Sequence, residues 1–125
     1  MNDESCACRT SFETCQFNDQ EYRFLLCSYD ESCYVWIGTS GNYGDLALAL
    51  KRPDDDVCLS TKIIDKSGSP VCEAMAAKLA KKMGKQVFVG FDTEVESEEV
   101  LRFINQKIFE MNLQIEQSRS KNGAV

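Results

Sequence analysis

Seven cysteines are the side chains of this chain best equipped for chemistry: Cys6, Cys8, Cys15, Cys27, Cys33, Cys58 and Cys72. Thiolates are nucleophiles and soft metal ligands, so the set raises thiol redox exchange or metal binding as a possible function. The spacing argues against both. No C-x-x-C occurs, and Cys6 and Cys8 are separated by one residue. The chain has no histidine, which excludes mixed Cys/His zinc sites and Ser-His or Cys-His catalytic couples. The odd count argues against a disulfide framework. Cys27, Cys33, Cys58 and Cys72 therefore read as small apolar packing residues. Cys6 and Cys8, near the start of the chain, are the most open to oxidation. Gly84-Lys85 lacks the upstream glycine and downstream Ser/Thr of a phosphate loop. Gly38, Gly41 and Gly44 lack the dinucleotide-binding spacing. No catalytic, cofactor-binding or metal-binding residue is expected.

Binding by surface is better supported. In Cys33-Tyr34-Val35-Trp36-Ile37-Gly38 and in Gln86-Val87-Phe88-Val89-Gly90-Phe91, every other residue is apolar on both sides of the alternation. A half-buried strand would alternate apolar with polar, so something must cover each face. If the two strands lie side by side, Tyr34, Trp36 and Phe88 project from one face, and Val35, Ile37, Val87 and Val89 from the other. Two helices can cover one face of a sheet of about six strands. An aromatic face left over would be a large apolar patch of the kind that marks interfaces. The competing reading places Trp36 and Phe88 in the core beneath the helices.

These residues need a frame. Strands are expected at residues 10–17, 22–29, 33–38, 45–50 and 57–64. The segment Asp45-Leu46-Ala47-Leu48-Ala49-Leu50 also has helix formers, but six residues between Gly44 and Pro53 is a strand's length. Asn18-Asp19-Gln20 and Arg52-Pro53-Asp54-Asp55-Asp56 read as turns, and the short Asp30-Glu31-Ser32 connection predicts an antiparallel hairpin. A helix follows, with Ser69 at its N-cap and Pro70 at its first position, and Cys72, Met75, Ala76, Leu79 and Met83 at helical spacing. Gly84 ends it, and a strand over 86–91 leaves at once. Thr93 or Ser97 caps a last helix. Its apolar stripe is Leu101, Ile104, Ile108, Met111 and Ile115, widened by Val100 and Phe103. Strands followed by helices predict an α+β fold with a mainly antiparallel sheet of about six strands and two helices on one face. Residues 1–125 form one domain, with 1–8 and 117–125 expected as flexible tails.

Charge narrows the partners. The chain has 125 residues, is 43% hydrophobic and 27% charged, and carries a net charge of −6. That balance disfavours nucleic acid, and no apolar run reaches the roughly 20 residues of a membrane-spanning helix. The acidic, polar start is not a signal peptide, so the expected address is cytoplasmic, with the nucleus left open. Lys78, Lys81, Lys82 and Lys85 cluster, followed by Asp92, Glu94, Glu96, Glu98 and Glu99. The routine explanation is helix-dipole complementarity; the sharper one makes Lys78, Lys81 and Lys82 a basic spot for an acidic partner.

The ordered set of Cys33-Tyr34-Val35-Trp36-Ile37-Gly38, Leu46-Ala47-Leu48-Ala49, Leu59-Ser60-Thr61, Ala77-Lys78-Leu79-Ala80-Lys81-Lys82 and Lys85-Gln86-Val87-Phe88-Val89 resembles the proteasome assembly chaperone four family. The resemblance spans residues 12–111. It implies a non-catalytic chaperone on an antiparallel sheet with packed helices. It also implies a sister partner like proteasome assembly chaperone three, and assistance to the α-ring of the 20S core particle through its α-subunits. The acidic start, with its two cysteines, and the Arg52-Pro53-Asp54-Asp55-Asp56 turn depart from the family pattern. The residues alone also leave open a cysteine-rich thiol redox or metal-binding protein and a homodimeric structural module.

Overall fold

The computed structural model describes residues 8–41, 44–51, 58–94 and 97–123. Eight elements run in the order β1 (Arg9–Phe17), β2 (Gln20–Ser28), β3 (Ser32–Gly38), β4 (Asp45–Lys51), β5 (Cys58–Ile64), α1 (Val71–Met83), β6 (Gln86–Asp92) and α2 (Glu98–Gly123). The Arg52-Pro53-Asp54-Asp55-Asp56 turn, Cys6 and the first seven residues lie outside the described residues.

The strands form one sheet in the order β1-β2-β3-β6-β4-β5. All pairs are antiparallel except β3 with β6, which run parallel. The first hairpin turns on Asn18 and Asp19, whose φ of 53° and 64° are the left-handed pair of a turn that matches strand twist. The strand reading of Asp45-Leu46-Ala47-Leu48-Ala49-Leu50 holds because β4 lies between β6 and β5, paired on both sides.

Both helices pack on the same sheet face. α1 lies on β4, β5 and β6, and α2 on β1 and β2. Beneath α1 the sheet presents Ala47 and Ala49, small enough to admit Cys72, Met75, Ala76 and Leu79. The Cys72 thiol donates to the Val89 carbonyl at 3.1 Å. Beneath α2, the Phe103 ring stacks on Phe17 at 4.5 Å and meets Tyr22 and Phe24 edge-on. Ile104, Ile108, Met111 and Ile115 continue the buried stripe. No helix among the described residues is long and apolar enough to cross a membrane.

Three terminal details bear on the expectations. Pro70, at φ −82° and ψ 2°, is in the bridge region and occupies the N-cap, so α1 starts one residue later than expected. The Ser69 hydroxyl still accepts from the Val71 amide, at 3.2 Å. Gly84 ends α1 as expected, with φ 67° and its N–H on the Ala80 carbonyl. Ser97, not Thr93, caps α2, its Oγ accepting from Val100 N at 3.3 Å. The backbone of α2 stays helical through Gly123, well past Gln117, where a frayed tail was expected. Ile115 is the last buried residue of the helix's apolar stripe, and Glu116, Gln117, Arg119 and Lys121 beyond it are good helix formers.

Asp45, at the start of β4, is buried and gathers the loop before α1. It accepts from Lys66 N at 2.7 Å, from Ser67 N at 3.0 Å and from the Ser67 hydroxyl. Burial alone would raise the carboxyl pKa; the donors outweigh it and hold the group below its ordinary value. A folded pKa below the unfolded one stabilises the fold fully above the unfolded value, about pH 3.9, and that contribution drains as pH falls through the folded value. Asp45→Asn should therefore destabilise the protein at neutral pH by about 1–3 kcal/mol. Urea melts across pH should show the gap to wild type shrinking below about pH 4. A gap independent of pH would show that the ionised carboxylate is not what the donors hold.

Candidate protein interface

The strand register decides which side chains stand on the helix-free face. Phe12, Leu25, Trp36, Gly90, Leu46 and Ile64 lie directly opposite one another in a row across all six strands. A second row runs Thr10, Cys27, Tyr34, Phe88, Leu48 and Thr61. At one side, Leu50 pairs with Leu59 and extends the apolar surface. A register shift between Leu46 and Ala47 leaves Ile63 as an extra residue in β5, also exposed.

Tyr34, Trp36 and Phe88 thus share the face that no helix of the described residues covers, and each is half-buried. Val35, Ile37, Val87 and Val89 point into the core with 1% exposure or less. The rim of the open face is wetter: Phe12 and Leu59 are each 58% exposed. A half-buried centre with exposed apolar margins is a surface that gains free energy when covered.

Two glycines shape its centre. The Trp36 indole lies over Gly38 of its own strand and Gly90 of the next, where any Cβ would intrude. A Cβ on Gly90 would sit 2.9 Å from Trp36 Cδ1 and 3.1 Å from the Tyr34 hydroxyl. Both aromatic side chains therefore fold down onto the trough left by missing side chains, giving a flat platform.

The lysine cluster divides into different roles. Lys85 is committed to structure: its Nζ donates to the Tyr29 carbonyl at 2.8 Å and the Ser28 hydroxyl at 3.0 Å, with Glu116 at 4.0 Å. Lys82 sits over the Phe109 ring, 4.7 Å from its centroid. Lys81 and Lys82 occupy the last turn of α1, where cations suit the dipole, and Lys78 lies one turn earlier, exposed. The lysines and the aromatic platform are on opposite sides of the sheet, so they cannot serve one contact.

Among the described residues, no group of histidine, cysteine, aspartate and glutamate side chains is placed to hold a metal. Cys33 and Cys72 are buried, as packing residues should be, and burial pushes both thiols up to about 12. Cys27 and Cys58 are half-buried, with Cys27 on the open face. Exposed Cys8 is held below its ordinary value, chiefly by its hydrogen bond with Thr10.

Sequence reasoning missed Leu25, Leu46, Leu48 and Ile64 as members of the open face. The Leu-Ala alternation of β4 carried the signal for two of them; the neighbours it would join depended on strand order.

This architecture is that of a chain in a yeast chaperone complex for 20S proteasome assembly. The likeness covers 89% of this chain and 96% of that one, with a TM-score of 0.61 at 10% sequence identity, so it concerns the fold. Residues 21–92, more than half of the chain, match the family described as Proteasome assembly chaperone 4. The chain belongs to that family. Human Proteasome assembly chaperone 4 is 26% identical over 76 residues, 61% of this chain and 62% of that protein. The mouse protein is 26% identical over 74 residues, 59% and 60% of the two lengths. The matched region thus spans about three-fifths of these relatives.

The trough makes a direct prediction. Gly38→Ala should lift the indole off the sheet and shift tryptophan emission to longer wavelength, while far-ultraviolet circular dichroism stays unchanged. Because Trp36 is the chain's single tryptophan, the spectrum reports it alone. Unshifted emission would mean that the indole does not rest on Gly38. Thiol titration of the native protein should find Cys33 and Cys72 slow and Cys8 fast, with all seven cysteines reacting after denaturation.

Proposed function

We propose that the chain is one half of a two-chain chaperone that assists assembly of the 20S proteasome α-ring. Its open sheet face packs against the corresponding face of a sister chaperone like proteasome assembly chaperone three. The observation that carries this reading is the two rows of side chains across the sheet, one apolar from β1 to β5 and the other from β2 to β4, with no helix of the described residues over them. Family membership supports the assembly role, and the fold shared with the yeast complex is consistent with it. Two such sheets, face to face, would make a sandwich about 10 Å thick whose shared core holds Tyr34, Trp36 and Phe88. The protein acts by binding rather than by catalysis: occupying surface on α-subunits stabilises one intermediate and blocks wrong contacts. Lys78, Lys81 and Lys82, on the helical side, remain accessible in the pair and present positive charge to acidic ring surfaces. A set of seven cysteines, odd in number and without C-x-x-C spacing, suits a cytoplasmic site of action, where thiols stay reduced.

Trp36→Ala tests the pairing. Removal of a central aromatic anchor should cost at least about 2 kcal/mol of association, or roughly a thirtyfold rise in Kd, and less in stability of the isolated chain. Titration calorimetry and urea melts give the two numbers. A large loss of monomer stability with unchanged affinity would return Trp36 to a core role. Mass in solution, alone and with the sister chaperone, separates this reading from a homodimer: a self-pair that the sister chain cannot displace would overturn it.

A further inference from the structure

On the helical side of the sheet, α1 and α2 leave a groove of about 340 Å³ between them. Lys78 lines it from α1, and Arg102, Asn105, Phe109, Glu110 and Leu113 from α2. Two features single it out. The first is Asn105, 8% exposed and placed beside Ile104 in the apolar stripe of α2. Its Oδ1 is sealed from solvent and accepts no hydrogen bond among the described residues. A buried amide oxygen with no donor costs stability that an apolar residue at this position would keep. The terminal amide torsion of asparagine is soft, so Oδ1 can swing toward a donor in the groove.

The second feature is charge. The chain as a whole carries −6, yet Lys78 and Arg102 face the groove against a single carboxylate, Glu110. Lys82 adds a third cation over the Phe109 ring. The ion pairs of the described residues involve neither Lys78 nor Arg102. Phe109, half-buried, and Leu113, 59% exposed, line the same groove and give it an apolar seat.

We propose that this groove is a second docking site, separate from the open sheet face, and that it takes an acidic peptide segment of a proteasome α-subunit. An apolar side chain of the segment rests on Phe109 and Leu113, its carboxylates meet Lys78 and Arg102, and one of its N–H groups donates to Asn105. The inference rests on the assembly reading and deepens it: the sheet face pairs the chaperones, and the helical face holds the ring subunit.

The test uses the intact chaperone pair and synthetic peptides that tile the α-subunit sequences. Acidic segments with a leucine or phenylalanine should bind, more weakly as salt rises. Lys78→Glu combined with Arg102→Glu should weaken them at least tenfold and leave pairing unchanged, since both side chains are exposed and far from the sheet face. Asn105→Leu should raise the melting temperature yet weaken the same peptides, a split that a purely structural asparagine would not give. Trp36→Ala should do the reverse, disrupting pairing and sparing peptide binding. Failure of any acidic segment to bind, or binding indifferent to the double charge reversal, overturns the groove while the pair still forms. Absence of the pair in the wild-type sample overturns the assembly reading instead.

Discussion

A six-stranded sheet has two faces, and the described residues supply helix for one. Strands spaced about 4.8 Å apart give a face that two helices, each about 10 Å across, can just cover side by side. α1 and α2 do so, over opposite halves of the same face. Everything characteristic of the molecule follows from the other face. It has the register and the apolar rows of a core layer, and among the described residues no element lies over it.

The strand order puts the consequence at the centre. β3 and β6 are the two middle strands, joined in parallel because β4, β5 and α1 intervene between them in the chain. Their central place explains why both are apolar on each face: one side meets the helices, the other carries Tyr34, Trp36 and Phe88. Gly38 and Gly90 let the Trp36 indole lie down instead of standing into water. Such a platform limits the apolar area that the open face shows.

The helical side uses charge where the open face uses shape. Lys85 ties the end of α1 to β2 and lies near Glu116 on α2. Lys107 and Glu13 pair α2 with β1, and Lys62 holds the loop around Asp65. These charges are engaged in building the fold. Lys78 and Arg102 sit on the groove instead, beside an asparagine that gives up stability where an aliphatic residue would supply it. The two sides of the molecule thus differ in character: one broad and apolar, the other cut by a groove with two cations on it.

The local grammar of the chain was legible without coordinates. Period-two apolarity gave β3 and β6, Gly44 and the following proline bounded β4, Gly84 ended α1, and the spacing of Ile104, Ile108, Met111 and Ile115 gave the buried face of α2. The sharing of one face by Tyr34, Trp36 and Phe88 was also readable, because alternation is strict once two strands are neighbours. Other features depended on contacts distant in sequence. The parallel insertion of β6 between β3 and β4 aligned Leu25, Leu46 and Ile64 with Trp36, and no local pattern encodes strand order. Pro70 was read as a helical residue, but its dihedrals place it just outside α1. The groove at Asn105 required two helices to be set at a fixed separation, and that distance comes from the packing of Cys72, Leu79, Phe103 and Ile108 onto the sheet. Periodicity acts through neighbouring residues and determined which elements form and which way each side chain points; burial acts through space, and only the tertiary structure decided which of those faces would meet and which would be left open.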